Sequence, residues 1–241
     1  SYIGEGGQSV VNVLRFQSLL NPKSRIGGLM TNRFYQGGGY GHLLGFDGFF
    51  ILNKKWSVNF ELLKNFNREP SQNWISTTEN IGNNSIQLDG ENLDGEAFYL
   101  QFLRRTEHWN SYFFFRNISP QHRADVGFVV KNNRKWGTLL HEYINIINKP
   151  ALQSFGFGTK IDLVYTHENY YKTLSVDFFA SFKTYGQTEF EYTLDYDATK
   201  TFLGIRFDHL PIHEFSIEGA PSETINFNLN LTLGKDLSMN E

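Results

Sequence analysis

Residues 225–233 read Ile225-Asn226-Phe227-Asn228-Leu229-Asn230-Leu231-Thr232-Leu233, apolar at every odd position and Asn or Thr at every even one. Successive side chains of a strand point to opposite faces, so this segment has one apolar and one polar face. On a helix the same residues would spiral around all sides, and no face would be sorted. The even face is uncharged but fully polar, which suits water or a ligand rather than a dry core.

Most of the chain repeats this pattern. Leu174, Val176, Phe178, Ala180 and Phe182 alternate with Ser175, Asp177, Ser181 and Lys183, and only Phe179 is out of phase. Phe190, Tyr192, Leu194 and Tyr196 alternate with Glu189, Glu191, Thr193, Asp195 and Asp197. Four carboxylates on one strand face are unfavourable against a dry core and reasonable against water. Trp56, Val58, Phe60 and Leu62 likewise alternate with Ser57, Asn59 and Glu61.

The composition fits such a chain. Aromatic residues make up 16% of the 241, with 23 Phe and 12 Tyr, yet mean hydropathy is only -0.40. No run approaches the ~18 apolar residues of a membrane helix. High aromatic content with low mean hydropathy is expected of a membrane β-barrel, whose polar interior dilutes its lipid-facing residues. A net charge of -3 and a pI of about 6.2 leave no basic footprint for nucleic acid. The absence of cysteine removes disulfides and thiolate metal sites. No signal peptide is visible at Ser1-Tyr2-Ile3-Gly4.

In chain order, strands are predicted over residues 10–20, 25–35, 42–52, 56–66, 96–106, 111–117, 136–147, 154–166, 172–183, 189–197, 201–209, 213–218 and 225–233. Most are longer than the five or six residues usual in soluble sheets. Turns after the first, third and fifth strands are short. The connections after the second, fourth and sixth are longer, above all residues 67–95 and 118–135. Outer-membrane barrels alternate in this way between short periplasmic turns and long external loops.

No catalytic constellation emerges. His209 and His213 are four apart, but Pro211 between them excludes the helix that would align them on a metal. His108 and Trp109 fall in a predicted turn, and His141 and Glu142 on a strand point to opposite faces. No His-x-Ser or equivalent pairing suggests a lipase on a barrel exterior. Glu189 and Glu191 share a face at roughly 7 Å, a spacing open to glycoside hydrolysis, though a solvated wall explains them more simply. Gly37-Gly38-Gly39 lacks the Lys-Ser/Thr and the helix of a phosphate loop. Trp56, Trp109, Trp136 and the Tyr170-Tyr171 pair fall near strand ends, where membrane barrels carry aromatic girdles. The polar residues expected to face a lumen are Arg33, Asp47, Asn59, Glu61, Asp177, Glu189, Glu191, Asp195, Asn226, Asn228 and Asn230. No cofactor or metal is expected.

Ser24-Arg25-Ile26-Gly27-Gly28-Leu29, Thr31-Asn32-Arg33, Gly45-Phe46-Asp47 and Val126-Gly127-Phe128-Val129 form a further pattern. It resembles the C-terminal region of a Bacteroidota outer-membrane family whose members begin with a family-9-like carbohydrate-binding domain. In that family the region is a domain of unknown function taken to be a membrane β-barrel. The resemblance covers roughly residues 10–136 by motif and the rest by strand pattern. Two departures suggest a piece of a longer protein: the sugar-binding domain is absent, and Ser238-Met239-Asn240-Glu241 lacks the usual terminal aromatic.

The expectation is therefore an all-β chain, a single antiparallel transmembrane β-barrel of about 12 or more strands or an incomplete segment of a larger one. Its expected place is the bacterial outer membrane. Its expected partners are outer-membrane lipid, other outer-membrane or surface proteins, and glycan. It would be a non-catalytic pore, scaffold or glycan-associated surface protein. The competing expectation is a soluble secreted β-sandwich that binds or hydrolyses polysaccharide.

Overall fold

A computed structural model describes residues 8–36, 38–71, 80–81, 84–85, 89–124, 132–149, 151–168, 172–184, 186–222 and 224–235. Their regular structure is all β. The strands are β1 (Ser9–Asn21), β2 (Ser24–Tyr35), β3 (Tyr40–Ile51), β4 (Trp56–Arg68), β5 (Asn80–Ile81), β6 (Asn84–Ser85) and β7 (Asn92–Arg105). They continue as β8 (Trp109–Ile118), β9 (Arg134–Lys149), β10 (Leu152–Tyr165), β11 (Lys172–Lys183), β12 (Thr188–Phe202), β13 (Ile205–Ser222) and β14 (Ile225–Gly234). Twelve of them form one antiparallel sheet in chain order, and β5 and β6 pair separately as a small hairpin. No ladder joins β1 to β14, so the sheet is open at these two edge strands.

Three expectations change. The polar insertion carries the β5–β6 hairpin, where little strand pattern is legible. The pieces predicted at 201–209 and 213–218 are not separate strands. Residues 198–202 extend β12, and one 18-residue strand, β13, runs through Pro211. The reversal falls at Leu203-Gly204, with φ of 48° and 78°. Positive φ at both central residues is the type I′ geometry that matches strand twist, and Leu in the first position hides the signal. Finally, long connections follow β4 and β8, at 69–91 and 119–133, but the one after β2, at 36–39, is short.

The chain divides into two compact units, Ser1–Gln101 with Phe115–Lys135, and Phe102–Phe114 with Trp136–Glu241. In the first, register places the odd residues of β1 to β4 on one face and the even residues on the other. The even face carries Leu14, Phe16, Met30, Leu44, Phe46, Phe60 and Leu62. The Gly27-Gly28 pair serves both faces. A Cβ on Gly28 would lie 2.3 Å from the Phe16 ring, and one on Gly27 3.0 Å from the Arg15 guanidinium. The missing side chains let a ring and a cation from β1 lie across β2.

In the second unit, Phe182, Phe190 and Ile217 share one face across β11, β12 and β13, with Leu229 of β14 beside Ile217. Lys183, Glu189, Glu218 and Asn228 run across the opposite face. Phe179 belongs to the polar face, where Gly158 of β10 stands directly opposite. A Cβ there would lie 2.4 Å from the ring. The out-of-phase aromatic thus fills the space its neighbour leaves empty.

Neither unit has an ordinary core. Among the described residues only Leu43 and Phe114 are buried hydrophobics, while Phe16, Phe46, Phe178, Phe215 and Leu229 are among many exposed ones. Gly158→Val should lower stability by about 1–3 kcal/mol through overpacking, and adding Phe179→Ala should recover part of the loss. Urea unfolding followed by tryptophan fluorescence measures both.

Candidate functional site

The candidate site is the polar face of the strands, taken unit by unit. In the first unit it holds four of the expected residues, Arg33, Asp47, Asn59 and Glu61, all at odd positions of β2 to β4. Asp47 stands between Gly27 and Glu61 in one cross-strand row. Arg15 reaches over Gly27 and grips Asp47 with both guanidinium nitrogens, Nη2 to Oδ2 at 2.9 Å. The sequence pattern names Asp47 but misses Arg15, because the partner sits two strands away and the path depends on a glycine between. Arg33 lies over the Tyr35 ring at 4.8 Å, and its Nε donates to Ser9 Oγ at 3.2 Å.

Toward the long connections this face becomes covered. The row Val13–Thr31–Leu43–Asn65 passes from 58% exposed at the edge to 7%, 7% and 0%. Over Asn65 the cover is the first leg of the connection after β8. Arg123 N donates to Asn65 Oδ1 at 3.2 Å, and Asn65 Nδ2 donates to Leu93 O at 2.9 Å and Asn67 Oδ1 at 3.1 Å. Arg123 also pairs with the buried Glu69 at 2.9 Å. His122, 2% exposed, lies over Gly95 of β7, where a Cβ would stand 2.4 Å from its backbone nitrogen. None of these residues was singled out from sequence, since Arg123 lies more than fifty positions from both Asn65 and Glu69. The motif residues Val126 to Val129 of the same connection lie outside the described residues, as do Gly37, Tyr170, Tyr171 and the terminal Ser238 to Glu241.

Carboxylate oxygens of Glu69, Asp89 and Glu91 lie within 4.8 Å of one another. Arg123 compensates Glu69, Ser85 Oγ donates to Asp89 at 2.9 Å, and Ser85 N donates to Glu91 at 3.1 Å. A trio of acids already engaged by a cation and two donors does not by itself make a metal site.

In the second unit the other seven expected residues share the polar face. Asp177 stands opposite Asp195, Glu191 opposite Ser181, Asn228 opposite Glu218 and Asn230 opposite Ser216. Asn226 joins them by alternation along β14. Two lysines temper the acids. Lys160 lies 3.4 Å from Asp177 and also pairs with Asp162, and Lys183 lies 3.1 Å from Glu189. Thr138 donates to Asp162, which places Trp136, two residues earlier, on this face as well. Trp136 packs edge-on against buried Phe114 at 4.8 Å, so it belongs to the polar side rather than to an outer girdle. The face is not purely polar, since Ile212 stands opposite Asp195.

The apolar face of this unit gathers the histidines. Trp109 is the first residue of β8 rather than a turn residue, and it stacks on His141 at 4.7 Å. Tyr143 and Phe157 complete the cluster at 4.9 and 6.3 Å from Trp109. Ser111 Oγ and His141 Nδ1 are 2.8 Å apart, a pairing between residues thirty positions apart that the sequence does not announce. Among the described residues no carboxylate or amide orients His141, and Glu142 turns to Asn110 on the other face. The pair is therefore a cross-strand hydrogen bond without the third member of a nucleophilic triad. His213 Nδ1 lies 3.0 Å from Tyr192 Oη, and His209 Nδ1 is bonded to Tyr196 Oη, so neither histidine points at a shared metal.

Burial holds His122 below the ordinary imidazole value. The covering segment is thus stabilised by the neutral ring, fully above about pH 6.5, and that contribution is lost as pH falls through the lowered value. Protection of the His122 and Arg123 amides, taken relative to their intrinsic exchange rate at each pH, should fall on acidification below about pH 6.5; His122→Gln should remove the step. Protection independent of pH in the parent chain would contradict the assignment.

No known protein-family model matches this chain, and neither the curated proteins nor the solved structures contain a significant match.

Proposed function

We propose that this chain forms the wall of a bacterial outer-membrane β-barrel, with its apolar face against lipid and its polar face against water, and that it is non-catalytic. The observation that carries this reading is the uncovered apolar face. Each half-exposed Phe or Leu on it forgoes about 1 kcal/mol of burial. Summed over the exposed residues, that loss exceeds the 5–15 kcal/mol by which a folded protein is usually stable. A surface of this extent needs cover, and lipid supplies it along the full strand length.

Several features support the same reading. The large sheet's strands of 10 to 18 residues match or exceed the 9–11 that a tilted transmembrane strand requires. Trp56 and Trp109 begin their strands, and Trp109, Tyr143 and Phe157 cluster at one end of an apolar face, as interfacial aromatics do. The acids of β12 find solvent on the polar side. A polysaccharide-binding sandwich would need a second sheet over Phe190, Tyr192, Leu194 and Tyr196, and the other sheet among the described residues is only the two-stranded β5–β6 hairpin. The outer-membrane location and the association with surface proteins or glycan rest on the family resemblance in Ile26-Gly27-Gly28 and Gly45-Phe46-Asp47. A pore is the role that a charged face on each unit suits best.

The protein should require detergent or lipid to stay dispersed, and should migrate faster on a gel unheated than boiled. A chain that remains soluble and monomeric without detergent, with no heat-dependent shift, would sink the proposal and favour the sandwich.

A further inference from the structure

A long loop of a membrane barrel ordinarily leads away from the wall. The leg that follows β8 does the reverse: it folds back over the polar face of the first unit and is fastened there. Ser119 still continues the ladder, its N donating to Glu96 O at 2.9 Å while its Oγ accepts from Glu96 N at 2.8 Å. The chain then turns, and His122 N donates to Ser119 O at 3.1 Å. Beyond the turn the segment meets the same face that carries Arg33, Asp47, Asn59 and Glu61.

We infer that residues 119–124 are a built-in constriction of that face, with Asn65 as the clasp. This inference rests on the water-facing reading proposed above. The fastening comes from three directions. From below, Asn65 and Gly95 supply the amide and the empty space described above. From the side, Glu69 holds Arg123. From the second leg of the same connection, Asn132 Nδ2 donates to His122 O at 2.5 Å. Asn65 is completely buried, and its amide bonds both the strand neighbour Leu93 and the segment at Arg123. A buried amide that tethers backbone nearly sixty residues away is costly to lose, because its partners are left without bonds. The segment therefore occupies space that water or solute would otherwise fill, and it determines what reaches the polar residues beneath.

The chain has no cysteine, so a single introduced thiol reports cleanly. The test uses the full chain reconstituted in lipid, a charged water-soluble methanethiosulfonate reagent, and single-channel recording. Cys at the buried position, His122→Cys, should react far more slowly than Gln121→Cys at its exposed neighbour. Asn65→Ala should raise the His122→Cys rate roughly 10- to 100-fold and should enlarge the unitary conductance. Arg123→Gln is the second variant, with the same direction and a smaller effect, should Asn65→Ala fail to assemble. Equal reactivity of His122→Cys and Gln121→Cys in the otherwise unaltered chain would overturn the inference. Protection with a conductance that neither variant changes would overturn the constriction alone. Protection without conductance in any of these proteins would overturn the pore, leaving only a structural clasp.

Discussion

Among the described residues the apolar face of each unit is largely exposed, and most other features follow from that constraint. A soluble sheet buries its greasy side against helices or a second sheet. Here the long strands run one after another, and only Leu43 and Phe114 are buried hydrophobics among the described residues. The usual order is inverted, since the best-buried side chains are mostly polar, Asn65, His122 and Ser24 among them, with Pro70 the exception. Close packing occurs on the polar side, where a connection folds back, while much of the apolar side is exposed.

Such a sheet is stabilised by cross-strand neighbours rather than by a central core. The ring stack of Phe182 on Phe190, the Trp109–His141 stack and the Tyr192–His213 bond all join adjacent strands. Glycines have a matching role. Gly27 lets Arg15 reach Asp47 across an intervening strand, and Gly158 makes room for Phe179. Each removes a side chain so that a larger neighbour can lie flat, which is one physical reason for glycine within a strand.

Much of this was legible in the sequence because alternation is local. The face of every expected polar residue from Arg33 to Asn230 followed from period two and from strand boundaries good to a few residues. What stayed hidden was non-local or irregular. Phe179 breaks phase for the sake of Gly158, a residue on another strand. The Leu203-Gly204 reversal lacks the Asn-Gly signature of its turn type, so residues 201–209 read as one strand across the turn, and Pro211 split the remainder of β13 from it. The Asn65–Arg123, Glu69–Arg123 and Ser111–His141 pairings join residues thirty to almost sixty positions apart, and no spacing rule reveals them. Trp136 looked like an interfacial aromatic from its place near a strand start, but its parity sends it to the other face.

The central claim is that the two faces meet two solvents, and nitroxide scanning along β11 tests it most directly. Single cysteines at 175 to 182 would be spin-labelled in lipid and probed with oxygen, which partitions into hydrocarbon, and with a water-soluble nickel complex. The account predicts a period of two: oxygen access at 176, 178, 180 and 182, and nickel access at 175, 177 and 181. Equal nickel access at odd and even positions would contradict it, and the apolar face would then need a protein cover instead of a membrane.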